Sequence, residues 1–298
     1  MDDVGRLVLF RDIVDLGSFS RAASKWGLNH STVSKHLKTL ETELGVQLLR
    51  RTSRTMNLTD EGRLVVEHSR RIGACVEELM QRLEAQRGEV RGEIRVTSLF
   101  HVGRHFVRPA MASFLREYPQ VRVTLVLDDG PLAFHRRRFD LAVRVGLPTE
   151  GSLTARKLAR NDVCLVASPE LIARVGQPKH PAELVDFPTV AYATDTLDLV
   201  AWTYEENGEY RSVEVRPMCR VNDGNALLDA VEDGLGVGYL SAFAVRKGLE
   251  RGSLVKLLPD FKLPTYDPIY MLSPATEHAS PRIEAFKRHL VATATAQS

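Results

Sequence analysis

Cysteine is scarce. The three in 298 residues, Cys75, Cys164 and Cys219, are an odd number with no close spacing. That excludes a disulfide scaffold and gives no metal-binding pattern. Long apolar runs are missing: none approaches the ~20 residues of a membrane span, and the apolar stretch 121–127 is broken by Arg122. The opening Met1-Asp2-Asp3 is acidic where a secretory leader is basic, and no apolar segment follows it. Catalytic signatures are absent as well, with no G-x-S-x-G elbow, no H-E-x-x-H and no P-loop. Gly234-Leu235-Gly236-Val237-Gly238 lacks the third glycine of a dinucleotide fingerprint at its required place and precedes a strand. These absences predict a cytoplasmic, non-enzymatic protein with no membrane association, no cofactor and no metal.

What is present is ordinary globular composition, 44% hydrophobic and 26% charged, in a chain long enough for two domains. Net charge is only +2, but it is unevenly spread. Residues 1–88 hold 14 basic and 12 acidic side chains. Between Ser20 and Thr55 stand seven basic residues (Arg21, Lys25, Lys35, Lys38, Arg50, Arg51, Arg54) and only Glu41 and Glu43 against them. Such a stretch suits a nucleic-acid footprint, although on charge alone a solvated helical face is the better account.

Helical periodicity resolves the start of the chain. Val4, Leu7, Phe10, Ile13 and Val14 form one stripe, ended by Gly17. Ser18 can cap a second helix with Phe19, Ala22, Ala23 and Trp26 inward, and Gly27 ends it. Asn29 can cap a third with Val33, Leu37, Leu40 and Leu44 inward, closed by Gly45. Two short helices on a tight Gly27-Leu28-Asn29 connection form a helix-turn-helix pattern. The outer face of the third helix carries His30, Ser31, Ser34, Lys35 and Lys38, all able to hydrogen-bond and none acidic. That favours a phosphate-facing role over mere solubility. Residues 46–58 read as a β-ribbon, or wing, with its tip near Thr52–Arg54 and arginines to grip flanking backbone.

Thr59 can cap a long helix from Asp60 to Gln86, about 40 Å at ~1.5 Å per residue. Val65, Ser69, Ile72, Val76, Leu79 and Leu83 follow the alternating steps of a coiled-coil seam. The seam predicts dimerisation through this helix; packing on its own chain is the alternative. The polar, glycine-bearing 87–92 marks a domain boundary.

Leu9-Phe10, Gly17-Ser18-Phe19-Ser20-Arg21-Ala22-Ala23, Val33-Ser34-Lys35-His36-Leu37, Leu40-Glu41, Leu44-Gly45, Arg51 and Leu58-Thr59-Asp60-Glu61-Gly62, in that order, resemble the DNA-binding domain of LysR-type transcriptional regulators. The ordered set is specific where any one piece is weak, and the resemblance extends more loosely past residue 92. Leu49 departs from the family's usual Phe, and His30 and His36 replace more typical residues beside the reading helix. The resemblance implies an all-α winged helix-turn-helix domain (1–59), a linker helix (60–88) and an α/β effector domain of type 2 periplasmic-binding-protein-like fold (89–298). The latter has two Rossmann-like lobes, lobe I being 92–161 and 268–291 and lobe II 162–267. The implied partners are double-stranded DNA with a dyad-symmetric operator, a small-molecule effector, a second copy of the chain within a dimer or tetramer, and RNA polymerase. The implied DNA-binding set is Ser20, Arg21, His30, Ser31, Thr32, Ser34, Lys35, Lys38, Arg50, Arg51 and Arg54.

Residues 92–298 alternate strand-like and helix-like segments, which argues for α/β layers with largely parallel sheets. Ligands bind at the carboxyl ends of strands in such sheets. That rule selects Ser98, Phe100 and His101 after the first strand, and Arg144, Val145 and Gly146 after the third. In the second lobe it selects Tyr192, Asn222 and Asp223. Helix N-termini and strand-end amides favour an anion, so a small organic or aromatic carboxylate is the expected effector. Each position has a plainer account. Ser98 and Asp223 suit helix caps, Arg144 can pair internally, and Tyr192 can be a core aromatic. A peroxide-sensing branch of the family uses a cysteine pair, but Cys164 and Cys219 read here as buried structural thiols. A secreted small-molecule binding protein of the same fold remains a third reading, opposed by the first 60 residues.

Overall fold

The computed structural model describes the whole chain apart from residues 52–55, 88, 131–138, 149–152, 196, 276–279 and 297–298. Two compact units result, the first running from Met1 to Glu89 and the second holding nearly all the rest.

The first unit starts with α1 (Asp3–Leu16), α2 (Phe19–Trp26) and α3 (His30–Leu44). Each has a side-chain cap. Asp2 accepts from Gly5 N–H (2.8 Å), Ser18 from Arg21 N–H (3.3 Å) and Asn29 from Thr32 N–H (2.8 Å). Gly27, at φ +62°, makes the left-handed turn between α2 and α3 that a Cβ would strain. Leu9, Phe10, Ile13, Ala22, Ala23, Val33, Leu37 and Leu40 interlock as a core, and the small Ala22 and Ala23 are fully enclosed. A short antiparallel hairpin follows, β1 (Leu49–Arg51) with β2 (Met56–Leu58); the expected tip at Thr52–Arg54 lies outside the described residues.

The linker helix α4 spans Asp60–Arg87. The Thr59 hydroxyl accepts from Gly62 N–H (2.8 Å) and donates to Gln47 C=O (2.6 Å), fixing its start to the hairpin. A Cβ on Gly62 would stand 2.1 Å from the Leu48 carbonyl oxygen, so α4 approaches the hairpin as only glycine allows. The first turns pack on their own chain: Val66 and Ser69 are buried and Arg70 pairs with Asp15 of α1 (2.5 Å). Farther along, Val76, Leu79 and Leu83 are about half exposed, at 48%, 56% and 47%. The seam therefore divides, its beginning packed within the unit and its end open.

The second unit is built on β3 (Gly92–Ser98), β4 (Val121–Leu127), β5 (Leu141–Val145), β6 (Leu153–Ala167), β7 (Thr189–Tyr192), β10 (Cys219–Val221), β11 (Val237–Ser241), β12 (Val255–Lys256) and β13 (Thr265–Pro274). They join in the order β10-β7-β11-β6-β13-β5-β3-β4, with β12 beside β6. The sheet is mixed rather than largely parallel. β3 pairs parallel with β4 and β5, and β7 with β10 and β11, but β6 and β13 run antiparallel to their neighbours. β6 is the longer of the two because it runs through both halves. β6 pairs with β13 up to Asp162↔Thr265 and with β11 from Val163↔Ser241.

Helices cover the sheet. α5 (Phe100–Val102) passes through a π-helical turn (Gly103–Val107) into α6 (Arg108–Glu117). α7 (Pro169–Val175), α8 (Gly224–Glu232), α9 (Ala242–Arg251) and α10 (Pro281–Thr295) follow. Phe106, Phe114, Phe286 and Leu290 fill one half's core and Leu165, Leu171, Trp202 and Tyr239 the other's. A separate hairpin, β8 (Ala201–Glu206) and β9 (Glu209–Glu214), turns through Asn207 and Gly208, both at positive φ. Residues 132–138, whose basic sequence reads as a helix, lie outside the described residues.

Candidate nucleic-acid interface and effector cavity

Helical geometry sets the first site. With Val33, Leu37 and Leu40 of α3 buried, the residues between them must face outward. His30, Ser31, Lys35 and Lys38 are exposed, and Thr32 and Ser34 half-buried. Ser20 and Arg21 of α2 and Arg50 of β1 are exposed. Arg51 sits on β1 opposite Met56; its side chain, like the whole of Arg54, lies outside the described residues. Asn29 Oδ1 accepts the Ser31 hydroxyl (2.7 Å) along with Thr32 N–H, so Ser31 helps build the cap of α3. The His30 ring lies 5.6 Å from that of Phe19, joining the starts of α3 and α2. Burial, the N-terminal ammonium, Arg6 and Lys35 together depress the His36 pKa, so the imidazole is neutral near pH 7.

Two roles were not legible from sequence. Lys25 Nζ pairs with buried Asp12 (2.8 Å), so this half-exposed lysine compensates an interior acid. Glu41 Oε1 accepts Leu48 N–H (2.9 Å) and, more weakly, Leu49 N–H (3.4 Å), pinning the hairpin's base to α3.

In the second unit the ends of the strands enclose a cavity of about 350 Å³, within the range of small-molecule sites. The structure brings three of the expected residues to it, His101, Val145 and Tyr192. Asn161, Tyr239, Ser241, Ala244, Tyr266 and Asp267 join them, with Leu197, Leu199, Leu227 and Leu240. Asn161, Tyr266 and Asp267 come from the antiparallel crossing strands, where the strand-end rule has no force. Ser241 does end a strand, and Ala244 lies in the first turn of α9, whose N-terminus has no side-chain cap.

The other expected residues stand outside the lining. Ser98 is buried and donates to Val143 C=O (3.0 Å), bracing β3 against β5. Phe100 is exposed, and its N–H donates to Asp129 Oδ1 (2.9 Å). Arg144 donates to Gly130 C=O (3.2 Å) and reaches Thr97 Oγ1 (3.5 Å). Strand alternation sends it away from the face that Val145 presents to the cavity. Gly146 donates its N–H to Pro268 C=O (3.0 Å). Asn222 is exposed. Asp223 caps α8, accepting from Asn225 N–H (3.1 Å) and Ala226 N–H (2.9 Å).

The lining is largely aromatic and aliphatic, with Asp267 as its acid. His101 stacks on Phe243 (5.9 Å, 12°) and fits against Gly224, where an added Cβ would lie 3.0 Å from the imidazole stem. Burial lowers the His101 pKa against the opposing pull of Asp129 and Asp223. Tyr239 donates to Thr203 C=O (2.9 Å) and meets Tyr266 edge to face (6.0 Å). Burial pushes the Tyr266 pKa up to about 12, and burial with Asp129 and Asp223 raises that of Tyr192. All three tyrosines stay protonated.

No group of three or more His, Cys, Asp or Glu among the described residues can hold a metal. Cys164 is buried, but Cys219 is only half-buried, a departure from the expectation for both. They sit on β6 and β10 with β7 and β11 between. Three strand spacings put them about 14 Å apart, beyond disulfide reach.

Two family models match: "Bacterial regulatory helix-turn-helix protein, lysR family" over residues 4–63 and "LysR substrate binding domain" over residues 87–295. The HTH-type transcriptional regulator PtxR of Pseudomonas aeruginosa is 32% identical over 284 residues, covering 95% of this chain and 90% of that protein. The structure of CrgA, a LysR-type transcriptional regulator from Neisseria meningitidis, superposes with a TM-score of 0.64 at 29% identity, over 97% of this chain and 98% of that one. The full-length Vibrio cholerae virulence activator AphB gives a TM-score of 0.61 at 26% identity, over 98% and 99%.

Proposed function

The chain belongs to the LysR family of transcriptional regulators, and from that premise we propose how its own residues read DNA and sense an effector. α3 lies in the major groove of a dyad-symmetric operator, with Ser31, Thr32, Ser34, Lys35 and Lys38 toward bases and phosphates. Ser20, Arg21 and His30 meet the adjoining backbone, and Arg50, Arg51 and Arg54 of the hairpin hold the flanking phosphates or minor groove. The observation that carries this reading is the outward face of α3, polar and basic with no acid in its first turn. An anionic duplex is the natural partner of such a face.

Dimerisation occurs through the open seam of α4 at Val76, Leu79 and Leu83, and two dimers form a tetramer. A small effector enters the cavity lined by His101, Val145 and Tyr192. Its binding biases the packing of the two halves or of the subunits, changing DNA bend and contact with RNA polymerase. The carboxylate expected from sequence was to meet Arg144 and open helix N-termini. Arg144 bonds within the chain and the starts of α5 and α8 hold Asp129 and Asp223, while the N-terminus of α9 beside the cavity has no side-chain cap and supports an anionic group there. No helix among the described residues is long and apolar enough to cross a membrane, and the protein acts as a regulator in the cytoplasm without catalysis.

The test is fluorescence anisotropy with DNA selected by the protein from a random pool. Lys35→Ala and Lys38→Ala should each weaken binding at least several-fold and lower the salt slope by about 0.9 per lost phosphate contact. Unchanged affinity in both folded variants would refute the docking.

A further inference from the structure

Three groups at the cavity have bonding capacity that the chain leaves unused. The first is the start of α9, a helix of 10 residues that begins between lining residues Ser241 and Ala244 with no side-chain cap. Its first N–H groups and the positive end of its dipole are open to an anion. The second is Asn161, which is 2% exposed and lines the same cavity. Its Nδ2 donates to the Asp267 carbonyl (3.2 Å), which leaves Oδ1 a buried acceptor without a partner. Such an atom calls for an N–H or O–H. The third is the Asp267 side chain, with no lysine or arginine beside it in the lining among the described residues. Arg144 Nε is also buried without a partner, but Arg144 is not part of the lining.

The sheet sets the spacing of these groups. Val163 pairs with Ser241 across the β6–β11 ladder, and Asn161 precedes Val163 by two residues, on the same face. Asn161 and Ser241 are therefore diagonal neighbours, about 7–8 Å apart. A ligand that meets both through hydrogen bonds of about 2.9 Å carries its donor and its acceptor on the same or adjacent carbons.

We propose that the cavity binds a zwitterion, an α-amino acid with an apolar side chain, its carboxylate on the N-terminus of α9 and its ammonium on Asn161 Oδ1 and the Asp267 carboxylate. The proposal rests on reading this cavity as the effector site. A carboxylate without the amine satisfies α9 but leaves Asn161 Oδ1 unpaired and lies near Asp267. An amine without the carboxylate leaves the helix start open. The apolar side chain exchanges water for Tyr192, Leu197, Leu199 and Leu227.

The probes are phenylalanine and leucine, each with its des-amino acid (3-phenylpropionate, 4-methylpentanoate) and its amine (phenethylamine, isopentylamine), titrated calorimetrically into the full-length protein at neutral pH. At least one amino acid should bind about tenfold or more tighter than both of its analogues, the scale of one charge-assisted hydrogen bond. Asn161→Leu should erase that advantage over the des-amino acid and leave the des-amino acid's own affinity unchanged. Asp267→Asn, at an exposed residue, should reduce it several-fold and carries the test if Asn161→Leu fails to fold. Ser241→Asp supplies a cap from within the chain and should abolish binding of every carboxylate probe. Ala244→Phe fills the cavity and should abolish all binding, with Leu199→Trp as the alternative block. If a des-amino acid or an amine binds as tightly as its amino acid and the blocks abolish it, the zwitterion is wrong while the site stands. If no probe binds, or the blocks leave binding unchanged, the site itself is misread and the proposal falls with it.

Discussion

Trp26 donates its indole N–H to Asp12 at 2.8 Å, and the same carboxylate holds Lys25 at 2.8 Å and Arg11 at 2.9 Å. One buried acid of α1 therefore ties that helix to the C-terminal end of α2. Burial alone would raise the Asp12 pKa, but hydrogen bonds from Lys25 and Trp26 and the charges of Arg11 and Lys25 outweigh it and the pKa is lowered.

Asp12→Ala leaves the buried Arg11 guanidinium uncompensated and should destabilise the first unit by about 3–5 kcal/mol, seen as an earlier urea transition in Trp26 fluorescence. In the unaltered protein the depressed pKa contributes stability that is present above the ordinary carboxylate range and lost as pH falls through the folded value. Acidification should therefore narrow the gap between wild type and D12A; a gap constant down to strong acid would count against the assignment.

Gly62→Ala sets two effects against each other. Helix propensity favours alanine by about 1 kcal/mol. The clash with the Leu48 carbonyl forces α4 off the hairpin, and overpacking of this kind costs about 1–3 kcal/mol. Net destabilisation and weaker DNA binding are expected; a stabilised variant would show that the approach is looser than described.

His105 packs edge-on to Phe243 at 5.4 Å, and its pKa is pulled down to about 4 by burial, then by the positive charges of His101, Arg104, Lys247 and Arg108. A histidine held neutral stabilises the fold fully above its unfolded pKa near 6.5, and that contribution fades as pH falls toward 4. The thermal midpoint of the second unit should drop across this window, and His105→Leu should flatten the drop. Parallel pH profiles for both proteins would exclude His105 as the cause.

Leu79→Glu places a charge in the open half of the α4 seam. The helix should persist by circular dichroism while sedimentation shows dissociation toward monomer. An unchanged oligomer would move the interface elsewhere.

The first unit was the more legible part because its punctuation is local. Ser18 and Asn29 start helices that glycines end, and the period of Val33, Leu37 and Leu40 tells which face is outside. The second unit was legible where parallel strands end, which located His101, Val145 and Tyr192. Asn161, Tyr266 and Asp267 were missed as lining, since they lie where the chain crosses between the lobes and not at the end of a parallel strand. Arg144 was misdirected by one residue of alternation. Asn207-Gly208, a strong hairpin signal, was available in the sequence and marks the turn between β8 and β9. Glu41 and Asp12 gave no signal, because their partners are fixed only by tertiary packing.

The ladder that carries β6 from β13 to β11 makes the two halves of the second unit share one continuous ribbon at Asp162 and Thr265. Bending across that ribbon would break hydrogen bonds, whereas rotation along it only changes coil. The halves are thus geared like the ends of a torsion bar, and a small molecule wedged beside Asn161 and Tyr266 sits where the bar is gripped.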